Sequence, residues 1–178
     1  MPHASEVRTP LAAAAAVLVL PFALAACSGS VSVGSGYDPK DVASEVQKAQ
    51  EKATPDLDVA DATCPDDDPQ EGSSIECTVS IDGVEAPYTV TFTTVDDNGV
   101  KFDIAPAKAI VSVTKTVDAI SAELEKAGYS GVDVNCGDAS VVVQDPGTTF
   151  TCDLAQGGTT SQATVTIKDL DGNISFEA

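Results

Sequence analysis

The apolar positions of this chain run at helical spacing twice, and each time they then switch to strict alternation. Over Asp41–Thr54, Val42, Val46, Ala49 and Ala53 recur at helical intervals with charges between them. Asp38 or Asp41 supplies a cap for this helix, and Pro55 a stop. A second helical stripe is Val117, Ile120, Leu124 and Ala127, with Gly128 placed to end it. After the first helix the period falls to two. Ile75, Cys77, Val79 and Ile81 share one face, Asp82-Gly83 predicts a tight hairpin, and Tyr88, Val90 and Phe92 continue beyond it. Val100, Phe102 and Ile104 form the next strand. After the second helix the strands are about Thr148–Leu154, Ser161–Lys168 and Asn173–Phe176, with weaker patterns at Val132–Cys136 and Val141–Val143. The polar strand positions are mostly Thr and Ser, which suit a solvated sheet face.

The two halves also match residue by residue. Gly72-Ser73-Ser74-Ile75-Glu76-Cys77 returns as Gly147-Thr148-Thr149-Phe150-Thr151-Cys152, 75 residues later. Thr89-Val90-Thr91-Phe92 returns at the same offset as Thr164-Val165-Thr166-Ile167. Acidic turns follow, Asp96-Asp97-Asn98-Gly99 and Asp169-Leu170-Asp171-Gly172-Asn173. The triplets Val100-Lys101-Phe102 and Ile174-Ser175-Phe176 then pair by pattern. These features predict an α+β chain built as a tandem repeat. Each small unit is a helix packed on a three- to four-stranded antiparallel sheet, residues 38–106 and 117–178. A linker, 107–116, joins them. Within it Ile110-Val111-Ser112-Val113 fits either a short strand or a segment docked between the units.

Cysteine placement adds a covalent frame. Cys64 and Cys77 lie in the first unit, Cys136 and Cys152 in the second. Four cysteines allow three connectivities. The duplication favours Cys64–Cys77 and Cys136–Cys152, one bridge in each unit, each worth about 3 kcal/mol in the chain-entropy model. Metal ligation would need short Cys-x-x-Cys pairs or His partners, and neither is present beyond residue 26.

The fifth cysteine has a different setting. An apolar run from Leu11 to about Leu24 follows Arg8 and closes on Leu24-Ala25-Ala26-Cys27, with Ser28-Gly29-Ser30 beyond. The run is too short to cross about 30 Å of hydrocarbon comfortably. It has the parts of an export signal, residues 1–26. The small-residue site ending in Cys resembles the lipobox of bacterial lipoproteins. That resemblance implies lipid attachment at Cys27 and removal of residues 1–26, leaving the protein anchored in the cell membrane on its extracytoplasmic face. It also places the remaining cysteines where disulfides persist. Residues 27–37, rich in Ser and Gly, read as a flexible tether.

Composition narrows the chemistry further. The net charge is −19, and removing residues 1–26 leaves it unchanged because Glu6 and Arg8 depart together. Such a surface repels nucleic acid, and no Arg remains for bidentate phosphate contacts. His3, the only histidine, leaves with the signal, so no His-containing triad exists. No Ser-x-x-Lys stands in a recognisable setting. No catalytic residues, metal ligands or cofactor are assigned. Asp66-Asp67-Asp68, Asp96-Asp97-Asn98 and Asp169–Asn173 gather hard oxygen ligands, but they lack the ligand set of an EF-hand and read as turns. Tyr129, next to Gly128, reads as packing at a helix end.

Taken with the lipobox, the helix, the paired cysteines and the Gly-x-x-apolar-x-Cys segments, the chain resembles the domain-of-unknown-function family numbered 4333. Members are envelope lipoproteins and membrane proteins, mainly actinobacterial. Two copies would cover nearly all of residues 27–178. The acidic loop Pro65-Asp66-Asp67-Asp68-Pro69 departs from the usual pattern. The family brings no activity with it. The expectation is a non-catalytic, lipid-anchored binding or scaffolding module with an envelope protein partner. The alternatives are a carrier of a small apolar or lipid ligand, or an inhibitor of an exported enzyme. The last rests on an architectural likeness to β-lactamase inhibitory proteins, which alone fixes no function.

Overall fold

A computed structural model describes residues 18–19, 30–33 and 37–178. The first helix, α1 (Pro39–Ala53), begins where Asp38 caps it: the carboxylate accepts the Lys40 N–H at 2.9 Å, and Pro39 opens the first turn. Its inner face is Val42, Ala43, Val46 and Gln50. The glutamine replaces the apolar Ala53 that the stripe suggested, because a partner on the sheet satisfies it. The second helix, α2 (Val113–Lys126), starts one turn earlier than its apolar stripe. Val113-Thr114-Lys115-Thr116 has poor helix propensity, yet Ser112 caps it and Val113 and Thr116 are buried. At its far end Gly128 takes φ 92°. The Gly128 N–H donates to Glu125 O (3.0 Å) and the Tyr129 N–H to Leu124 O (2.9 Å), a Schellman ending.

Both helices lie on antiparallel sheets. Two short segments near the start, β1 (Leu18–Val19) and β2 (Ser30–Val33), join one sheet each. The first sheet holds β3 (Ser74–Ile81), β4 (Val84–Asp96) and β5 (Gly99–Pro106), in the order β2-β5-β4-β3. Residues 30–33 thus correct the expectation of a flexible tether throughout 27–37. Ser30-Val31-Ser32-Val33 has a strand's alternation, and its register sets Val31 opposite Phe102. A ribbon follows: β6 (Ala109–Ser112) pairs with β8 (Val141–Gln144). The last sheet contains β7 (Asp133–Asn135), β9 (Thr149–Gln156), β10 (Thr159–Ile167) and β11 (Ile174–Glu177), in the order β1-β11-β10-β9-β7.

The two meanders agree in local geometry. Ile81 and Val84 close on Asp82-Gly83, with φ 48° and 80°. Gln156 and Thr159 close on Gly157-Gly158, with φ 58° and 80°. Positive φ at both central residues gives the turn that matches strand twist. The Gly72 N–H donates to Phe92 O at 2.8 Å, and the Gly147 N–H to Ile167 O at 2.7 Å. Cys77 stands opposite Tyr88, and Cys152 opposite Ala163. The closing strands align differently from their triplets. Phe92 opposes Phe102 and Ile167 opposes Ile174, so Ile174 occupies the place of Phe102 and Phe176 that of Ile104. Nine residues separate Phe92 from Phe102 and six separate Ile167 from Ile174, and the longer first hairpin also contains a register shift between Phe92 and Thr94.

Residues 107–116 are not a free spacer. They hold β6 and the first turn of α2, and the ribbon serves as a wall between two cores. Ile110, Val141 and Val143 pack with Val42, Val46, Phe92 and Phe102 in the first core. Ala109, Val111 and Val142 pack with Ile120, Val165, Ile167 and Phe176 in the second. Period two sends alternate residues to opposite faces. All four residues of β6 are buried for that reason. Residues 110–112 are thus both strand and docked segment, while Val113 belongs to α2 and not to the strand.

Candidate functional site

Each of the expected disulfides forms. Cys64–Cys77 ties β3 to the segment before it, beside an isolated bridge between Thr63 and Thr78. Cys136–Cys152 ties β9 to the residue after β7. Cys77 and Cys152 are fully buried in their cores. Cys27 and the rest of Leu24–Cys27 lie outside the described residues.

Two of the three acidic clusters hold turns, whereas Asp66-Asp67-Asp68 lies in irregular chain and not in the turn expected there. An Asp96 carboxylate oxygen accepts the Asn98 N–H at 2.8 Å. Asp169 accepts the Asn173 N–H at 3.1 Å and the Asn173 side-chain amide at 2.8 Å. The Asp96 bond, to the amide two residues on, is an Asx turn, and the Asp169 bonds span four residues and close the wider loop before β11. Among the described residues no three His, Cys, Asp or Glu side chains converge as a metal ion requires. Asp66 and Asp67 lie near Tyr37. Burial, and then the negative charge of Asp66, Asp67 and Asp38, raises the Tyr37 pKa above its ordinary value. The Tyr37 hydroxyl donates to Pro65 O (3.2 Å), and its ring meets Phe92 edge-on with centroids 5.7 Å apart.

Two polar features had no signal in the residue pattern. In the first core the Tyr88 hydroxyl donates to the Gln50 side-chain oxygen. The Gln50 amide donates to Thr54 Oγ1 at 2.6 Å, and that hydroxyl reaches Gln50 O at 3.2 Å. Burial drives the Tyr88 pKa well above the usual tyrosine value, so the phenol stays a neutral donor. The chain of bonds fixes α1 on β4. The second feature joins the halves. Asp82 accepts the Asp58 N–H at 2.8 Å and interacts with the Ser140 hydroxyl, just before β8. Hydrogen bonds from Ser140 and then Asp58 hold the Asp82 carboxyl below its ordinary pKa. Lys115 at the start of α2 adds an exposed ion pair with Asp56 at 3.7 Å.

The outward sheet faces are rows of small polar groups. Register places Thr149 beside Thr166, Thr151 beside Thr164 and Asp153 beside Gln162. The last pair is hydrogen-bonded at 2.9 Å. In the first sheet the Ser74 and Thr91 hydroxyls stand 2.9 Å apart. Tyr129 and Leu170 are the large apolar residues left exposed among those described, at 36% and 41%.

Residues 22–97 match the model of one family, described as Domain of unknown function (DUF4333). The matched span runs through α1, β3 and β4 and ends in the turn before β5. No curated protein and no solved structure matches the chain.

Proposed function

We propose that this chain is a bacterial envelope lipoprotein, anchored through Cys27 on the extracytoplasmic face. In this reading it acts as a non-catalytic binding or scaffolding module made of two duplicated units. One observation carries the proposal: an apolar run closing on Leu24-Ala25-Ala26-Cys27, followed by a body stapled by two disulfides. Duplication is supported by Cys77 and Cys152, the two hairpins and the Gly72/Gly147 bonds, which share an offset of 75, whereas Cys64 and Cys136 lie 72 apart. The family match supports a first unit of this type. The carrier alternative needs room between helix and sheet or between the two units. Between the units the β6–β8 wall sends side chains into both cores, which favours binding at the surface over a ligand held there.

Fractionation of cells expressing the full chain tests the location. The wild type stays with membranes until detergent is added, and protease applied to intact spheroplasts digests it. Cys27→Ser leaves the processed membrane-bound form empty. Wild-type protein in the cytosolic fraction, or resistant to the protease, contradicts the proposal.

A further inference from the structure

The two meanders differ in what closes their last strand. The outer edge of β5 is covered by β2, whose residues follow Cys27 in the chain. The outer edge of β11 is met by Leu18–Val19, with Leu18 opposite Phe176 and Val19 opposite Ser175. Those two residues precede Cys27 and leave with the signal.

Ladder phase identifies which groups that departure exposes. The Lys168 N–H donates to Asn173 O at 2.7 Å, which makes 168/173 a hydrogen-bonded pair. Antiparallel pairs alternate, so Ser175 bonds with Thr166, while Ile174 and Phe176 turn their N–H and C=O groups away from β10. An unpaired edge of this kind is a template for another strand. Lys, Pro or an inward charge usually guards such an edge, and Ile174-Ser175-Phe176 carries none of them.

We propose that removal of residues 1–26 uncovers the edge of β11, and that this edge takes a strand from a partner. The partner segment is an extended peptide with aliphatic residues at alternate positions and Lys or Arg at its ends. The proposal rests on the lipoprotein reading, since it needs residues 1–26 to leave. Main-chain bonds supply affinity in strand addition, and the alternating side chains supply choice. The aliphatic requirement follows the register, which sets Leu18 against Phe176. The basic ends follow the net charge of −19, which attracts cations and sets two copies of this chain against each other.

The test uses the full chain expressed in a bacterium, purified from membranes in detergent and checked by intact mass. The probe is a peptide of sequence Val17–Leu20 between paired lysines. Hydrogen exchange at the Ile174 and Phe176 amides slows about tenfold or more when it binds. In the observed register the Leu18 N–H faces β11. Methylating the amides of Leu18 and Leu20 in the peptide therefore abolishes binding, whereas methylating those of Val17 and Val19 preserves it. Equal binding of both methylated peptides overturns the proposal. So does absence of binding to a chain whose mass shows that residues 1–26 have gone. A dimer with β11 already protected overturns it in favour of a second copy. A mass that retains residues 1–26 overturns the lipoprotein reading and, with it, this one.

Discussion

At the scale of single residues, the decisive positions are polar ones inside or between cores. Gln50 sits on the inner face of α1, 1% exposed, and Tyr88 is 5% exposed on the strand beneath. Removing one member of a buried pair strands the other, so Tyr88→Phe loses about 1–3 kcal/mol, read as a lower urea midpoint with an unchanged slope. An unchanged midpoint would show that the Gln50 oxygen finds another donor. Asp82 lends itself to a pH experiment. Its folded pKa is depressed, so its contribution is present above the ordinary carboxylate value and disappears as pH falls through the folded one. Asp82→Asn keeps a turn-compatible residue at positive φ but has no charge to lose. The melting-temperature gap between wild type and Asp82→Asn is therefore expected at neutral pH and closes in acid. A gap independent of pH contradicts the assignment. Neither polar feature was legible in the sequence. A glutamine in a helix reads as a solvent-facing residue until its partner on the sheet is known.

Among the elements, legibility followed the strength of the periodic signal. Asp38 and the Val42–Val46 stripe announced α1, and Asp82-Gly83 announced the hairpin of the first sheet. Gly128 marked the end of α2, but Val113–Thr116 hid the start because β-branched residues favour strands. Ser30–Val33 was hidden by its neighbours: Ser and Gly on both sides suggested a tether, while the alternation that places it on β5 spans only four residues. The offset of 75 held through β3, β4, β9 and β10 and failed at the closing strands, where the first hairpin contains a register shift. Both disulfides bind a weakly structured segment to the first strand of a meander. Replacing Cys136 and Cys152 together with Ser should lower stability by about 3 kcal/mol, measured by denaturant titration against the wild type. A loss near zero would mean that β7 is held on β9 by its backbone pairing alone.

For the whole molecule, the central structural fact is that a segment read as a linker is shared interior. Ile110 and Val111 are neighbours in sequence and belong to different cores. Two units divided by such a wall should unfold together. Ile110→Ala is expected to cost about 2–5 kcal/mol and to lower the transition of both halves as one, followed by hydrogen exchange in β4 and β10. Loss of protection confined to β4 would show that the halves unfold independently. The pattern of 110–113 contained this arrangement without revealing it, since four apolar or small residues in a row do not say which two surfaces they will meet.

The proposed function turns on one atom, the sulfur of Cys27. Labelling growing cells with an alkyne fatty acid, then purifying the full chain, reads lipidation there directly. The lipoprotein account predicts label on the wild type and none on Cys27→Ser. Unlabelled wild-type protein, or label that persists on Cys27→Ser, would contradict it.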